Sequence, residues 1–138
     1  MLLRLTLTYA ATAATFLGLD YLWLNTTAGA FYRPRLGALL LDSPRIGIAA
    51  LFYIFYSAAV VILAVTPANA QENGLLAFGL GAVLGAAAYG TYDITNLSTL
   101  RGWSVEVTIV DILWGTLLSG LAATAGYFAA KAAGGIGG

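Results

Sequence analysis

Three aspartates, Asp20, Asp93 and Asp111, interrupt otherwise apolar stretches of a 138-residue chain. An aspartate at mid-bilayer costs about 2.5–3.5 kcal/mol on insertion scales, and intramembrane acids usually face a bundle interior or a pathway. Two of the three share a local pattern: Leu19-Asp20-Tyr21-Leu22-Trp23 and Val110-Asp111-Ile112-Leu113-Trp114 both read apolar-Asp-x-Leu-Trp. Three like charges in a poorly solvated site cannot all stay ionised. Such carboxyls can hold a proton, a cation or a small solute, serve as general acid toward a lipid, or pair with cations as polar glue between helices. Arg101, eight residues after Asp93, is placed to neutralise one acid, and Arg33 or Arg35 another. Asn96 and Tyr89 share the face of Asp93 and add neutral polar groups.

The composition limits these options. The chain has no cysteine and no histidine, which excludes disulfides, iron–sulfur clusters, the usual zinc sites and histidine acid–base work. Carboxylates with Asn96 would suit a hard divalent ion. No Asp-x-x-Asp or Glu-x-x-His pair falls on one helix, however, so no metal site is assigned and no cofactor is expected. No Gly-x-Ser-x-Gly nucleophile motif is present. Six basic and six acidic residues balance to zero, which argues against nucleic acid as a partner, since a basic surplus is its usual footprint.

The elements that must position these residues are membrane helices. With 60% hydrophobic and 9% charged residues and a mean hydropathy of +0.87, the chain cannot coat itself in water. An ordinary soluble domain carries roughly a quarter charged residues. A bilayer core about 30 Å thick takes roughly 20 apolar residues, and four stretches qualify, at about 3–24, 45–65, 74–97 and 105–130. Backbone groups facing lipid must be satisfied within their own segment, so the predicted fold is all-α, a polytopic four-helix bundle in a single transmembrane domain, with the bilayer as its partner. The run after Arg4 is read as a first membrane helix rather than a signal peptide. Ser43 and Pro44 are expected to open the second helix and Pro67 to stop it; Asn73 and Ser104 are expected to cap the third and fourth. The terminal Ala-Ala-Gly-Gly-Ile-Gly-Gly is expected to fray.

The faces of these helices bring the acids together. Gly81, Gly85, Tyr89 and Asp93 recur every four residues, as do Asp111, Gly115, Ser119 and Ala123, so two small-and-polar stripes can pack closely. Tyr9, Thr12, Phe16, Asp20 and Trp23 make the matching face of the first span. The second span, bulky throughout, is expected to face more lipid. Arg33, Arg35, Arg45 and Arg101 flank the first and third connections against Arg4 and Lys131 at the other end. The positive-inside rule therefore makes those connections cytoplasmic and both termini external. All three acids then lie about one to two turns below the cytoplasmic face. Because spans one and four run oppositely, Trp23 and Trp114 are expected on opposite sides of their acids. The connection 25–42 holds Tyr32, Arg33 and Arg35, suited to headgroups, and its 36–41 segment can lie as a short interfacial helix. Trp103 joins Trp23 and Trp114 as an aromatic rim.

Phe31-Tyr32-Arg33, the run from Tyr89-Gly90-Thr91-Tyr92-Asp93 through Asn96 to Arg101-Gly102-Trp103, and Val110-Asp111-Ile112-Leu113-Trp114-Gly115-Thr116 resemble a family of small bacterial membrane proteins, domain of unknown function 2177. The resemblance covers nearly the whole chain. It implies a four-helix protein of the bacterial inner membrane and supplies no activity.

Three functions fit the residues. One is an acidic site near the cytoplasmic face that handles a proton, cation or small solute. Another is a lipid-modifying enzyme or accessory factor whose arginines receive the headgroup. The third is a structural subunit held by buried ion pairs. A homodimer suits a bundle too small for a sealed pathway of its own.

Overall fold

The structure, a computed structural model, describes residues 1–136. It is an all-α membrane bundle, and four helical rods are long and apolar enough to cross a bilayer. The first rod begins with α1 (Leu2–Thr27), continues through a π-helical turn (Ala28–Tyr32) into the short α2 (Arg33–Leu36), and ends in a 3-10 turn (Gly37–Leu39). The second comprises α3 (Ile46–Val60), a second π turn (Val61–Val65) and α4 (Thr66–Ala70). The third and fourth rods are α5 (Gly74–Thr99) and α6 (Val105–Ile136).

Several boundaries differ from expectation for identifiable reasons. The first connection is mostly helix rather than loop, and the first rod runs 38 residues from Leu2 to Leu39. Its α-helical part ends at Leu36, where Gly37 takes a φ of +48°, and of the 36–41 segment expected to be helical, residues 37–39 form a 3-10 turn. Ser43 and Pro44 do not open α3. Arg45 stands before the first turn without a side-chain cap, and its carbonyl accepts from the amides of Ile48 and Ala49. Pro67 does not stop the second rod. It sits in the first turn of α4, where a missing N–H costs little, because the π turn ahead of it has already shifted the bonding pattern. Thr66 Oγ1 helps to occupy the carbonyl of Val61, at 2.9 Å. The caps of α5 and α6 are as expected: Asn73 Oδ1 accepts from the amide of Leu76 and Ser104 Oγ from that of Val107, each at 3.1 Å. α6 runs on to Ile136 through most of the glycine-rich segment expected to fray; Gly137 and Gly138 lie outside the described residues.

α6 is the centre of the bundle, packed along α5 on one side and α1 on the other. The α5–α6 contact needs its small residues. A Cβ on Gly81 would come within 2.6 Å of the Ser119 carbonyl and 2.7 Å of the Ala123 methyl, so the backbones approach as in small-xxx-small packing. Gly126 of α6 receives the Thr12 hydroxyl of α1 in the same way.

The second rod, expected to face more lipid, does so over most of α3 but is buried on one side from Tyr56 onward. Tyr56, Val60, Ala64, Val65 and Ala68 are buried in the core with Phe16, Leu118 and Ala122. Most of the first ten residues of α3, Ile48, Leu51, Phe52, Ile54 and Phe55 among them, are exposed, as is Ile62 further along. α3 packs against α1, whereas the π turn that follows packs against α5. The rod therefore crosses the bundle obliquely, close to α5 in one half of the membrane and away from it in the other.

Candidate functional site

Where α3 stands away from α5, the helices leave a cavity of about 480 Å³. Each acid lies six or seven residues from a helix end: Asp20 from Thr27, Asp93 from Thr99 and Asp111 from Val105. At 1.5 Å per residue that is about 9–10 Å along each axis. Asp20 and Asp111 line the cavity. Asp93 does not. It is fully buried at 0% exposure, neither carboxyl oxygen has a hydrogen-bond partner, and Asp111 is its charged neighbour. Asp111 is also an electrostatic neighbour of Asp20. The expected common pocket of three acids is thus two cavity carboxyls with a third behind Asp111, and among the described residues they form no cluster that would hold a metal ion.

Neutral aromatic donors hold the two cavity acids. Trp114 Nε1 donates to Asp20 Oδ1 and the Tyr53 hydroxyl to Asp20 Oδ2, both at 3.2 Å. The Tyr32 hydroxyl donates to Asp111 Oδ1 at 2.9 Å, and Trp23 Nε1 donates to that hydroxyl at 3.1 Å. The two Asp-x-x-Trp segments therefore cross over. The tryptophan of each serves the acid of the other, Trp114 directly and Trp23 through Tyr32. Side chains on a helix lean toward its N-terminus, so on antiparallel helices the two indoles lean toward each other. They meet as a stack with centroids 4.4 Å apart and planes 9° off parallel.

The arginines are not where the sequence suggested. Arg35 turns back on its own helix, with Nη1 donating to the Phe31 carbonyl at 3.1 Å and the guanidinium 4.2 Å from the Phe31 ring centre. Arg33 and Arg101 lie exposed in the connections. Among the described residues no arginine is a hydrogen-bond partner of the three acids, and none lines the cavity. Asn96 is half-buried outside the cavity. Trp103 packs edge-on to Tyr92 at 5.7 Å and donates to Thr108 Oγ1 at 3.1 Å, bracing the α5–α6 connection.

The remaining walls are mostly aromatic. Tyr89 lines the cavity above Gly115, where any Cβ would overlap its ring. Phe16, Phe52, Tyr53, Tyr56 and Tyr92 add aromatic surface, and Leu24, Ala49 and Ala88 aliphatic surface. Phe16 lies 5.6 Å from Tyr53 and 5.2 Å from Tyr56 between ring centres, and the Tyr56 hydroxyl is tied to Ser119 Oγ at 2.8 Å. Sequence reasoning missed Phe52, Tyr53 and Tyr56 as site residues. The signal was the aromatic spacing at 52, 53 and 56, read as lipid-facing bulk. Chemically, the cavity offers two carboxylate acceptors, several π faces and no basic side chain among the described residues.

The family model described as "Predicted membrane protein (DUF2177)" matches residues 5–128 of this chain. No curated protein and no solved structure matches it.

Proposed function

The chain belongs to this family of membrane proteins, and we propose that it binds a small organic cation within the bilayer, as the receptor or carrier of an ammonium compound. One observation carries the proposal: two carboxylates, held by neutral donors, stand in a cavity walled by tyrosine, tryptophan and phenylalanine and free of basic side chains among the described residues. A quaternary ammonium bound over aromatic faces gains up to about 2 kcal/mol when desolvated, and the nearby acids supply the counter-charge. A magnesium-like ion would want an oxygen shell, which these indole and phenyl walls do not provide. An ion-paired structural role would call for arginine beside the acids, yet their partners are tyrosine and tryptophan. Trp23 lines the cavity and Trp114 donates to Asp20, so tryptophan emission reports on the site.

We also propose a bacterial inner membrane with the termini external; the sidedness is supported by Arg33, Arg35, Arg45 and Arg101, which gather at the cavity end, the end that the positive-inside rule favours in the cytoplasm. Titration of the purified protein in maltoside micelles with tetramethylammonium tests the binding. Tryptophan emission is expected to change saturably in the wild type and not in Asp20→Asn/Asp111→Asn. A flat wild-type titration, or an equal response in the double variant, would overturn the proposal.

A further inference from the structure

We propose that the cation this cavity receives is the headgroup of an amine-bearing membrane lipid, which enters sideways from the bilayer between the second and third rods. The inference rests on the cation reading above and adds the source of the ligand and its route. At the level of the cavity α3 and α5 part, whereas the π turn Val61–Val65 closes against α5 further along the rod. The gap is therefore shut at one end and open at the other. Its two rims are Phe52 on α3 and Tyr92 on α5. Both line the cavity, yet they are 55% and 57% exposed.

Their depth decides what that exposure means. Phe52 is six residues into α3 and Tyr92 seven residues before the end of α5, about 9–10 Å along each axis. At that depth, in rods that span a bilayer, the mouth looks onto lipid rather than open water. An apolar rim meets hydrocarbon, while Asp20 and Asp111 inside meet a positive charge. A molecule that satisfies both has an ammonium head and an acyl tail. A lipid already in the leaflet reaches the mouth by lateral diffusion, and its tail stays in the bilayer while the head moves into the cavity.

The test uses the full chain in phosphatidylglycerol nanodiscs containing a small fraction of either phosphatidylethanolamine or phosphatidylglycerol, each with the same photoactivatable group in one acyl chain. The expected result is an excess of about tenfold, set by the cation's interaction with the aromatic faces, in labelling of α3 and α5 by the ethanolamine lipid. That excess should vanish when tetramethylammonium is added to saturation or when Asp20→Asn is introduced. If the variant does not fold, the competition with tetramethylammonium decides alone. Equal labelling by the two lipids while tetramethylammonium still alters tryptophan emission would overturn the lipid route and leave the cation site standing. Equal labelling with no tetramethylammonium response would overturn both.

Discussion

At the residue scale, the site depends on which groups keep its two carboxylates in place. Asp20 uses both oxygens, one for Trp114 and one for Tyr53, while Asp111 is reached by Tyr32. A hydrogen bond to a charged acceptor contributes about 1.5–3 kcal/mol, so removing one donor should be measurable. Tyr53→Phe keeps the ring wall and deletes the hydroxyl; it is expected to lower the thermal midpoint in micelles while weakening tetramethylammonium binding less than Asp20→Asn does. Asp20→Asn and Asp111→Asn should each weaken that binding about tenfold, since each removes one counter-charge, on the order of 1–2 kcal/mol in a partly solvated site, as read by tryptophan emission. Asp20, Asp111, Trp23 and Trp114 were legible in the sequence because one short pattern occurs twice and acids are costly in lipid. Their crossed pairing was not legible, since it depends on the lean of side chains on antiparallel helices. The arginine partners were misjudged for a related reason: proximity along the chain says nothing of a side chain that folds back onto its own helix, as Arg35 does.

Two features of the elements build the cavity, a stripe of glycines and a π turn. Gly115 leaves room for the Tyr89 ring, and a Cβ there would overlap it, whereas a Cβ on Gly79 meets nothing within 4 Å. Gly115→Ala should therefore cost about 1–3 kcal/mol through overpacking and displace Tyr89, while Gly79→Ala should leave stability unchanged or slightly raised. Thermal unfolding of the two variants in the same micelles makes the comparison. The π turn Val61–Val65 sets which face of α3 looks inward, since one residue more or less rotates the helices on its two sides relative to each other by about 100°. Deleting the exposed Leu63 from the turn should keep four spans but swing Tyr53 and Tyr56 away from Asp20 and Ser119. Circular dichroism should then stay helical while the tetramethylammonium response disappears. The glycine stripe was evident from its four-residue spacing. The π turn was not, because Pro67 reads as a helix end unless the backbone ahead of it has already changed register.

At the scale of the whole molecule, composition and the length of the apolar runs were enough to specify four membrane helices, because lipid leaves the backbone few alternatives. The position of the second rod needed the structure: a uniformly apolar helix carries no stripe to say which side is buried. The charge asymmetry that sets orientation is small, four arginines against one arginine and one lysine, so the sidedness is a prediction of its own. A C-terminal alkaline phosphatase fusion should be active and a C-terminal fluorescent-protein fusion dark; the reverse would put the cavity at the outer face. The most direct test of the central claim separates charge from shape. In equilibrium dialysis against the protein in maltoside micelles, choline should be retained saturably while 3,3-dimethylbutanol, its uncharged isostere, is not. Equal retention of the two, or retention of neither, would contradict a cavity built for an organic cation.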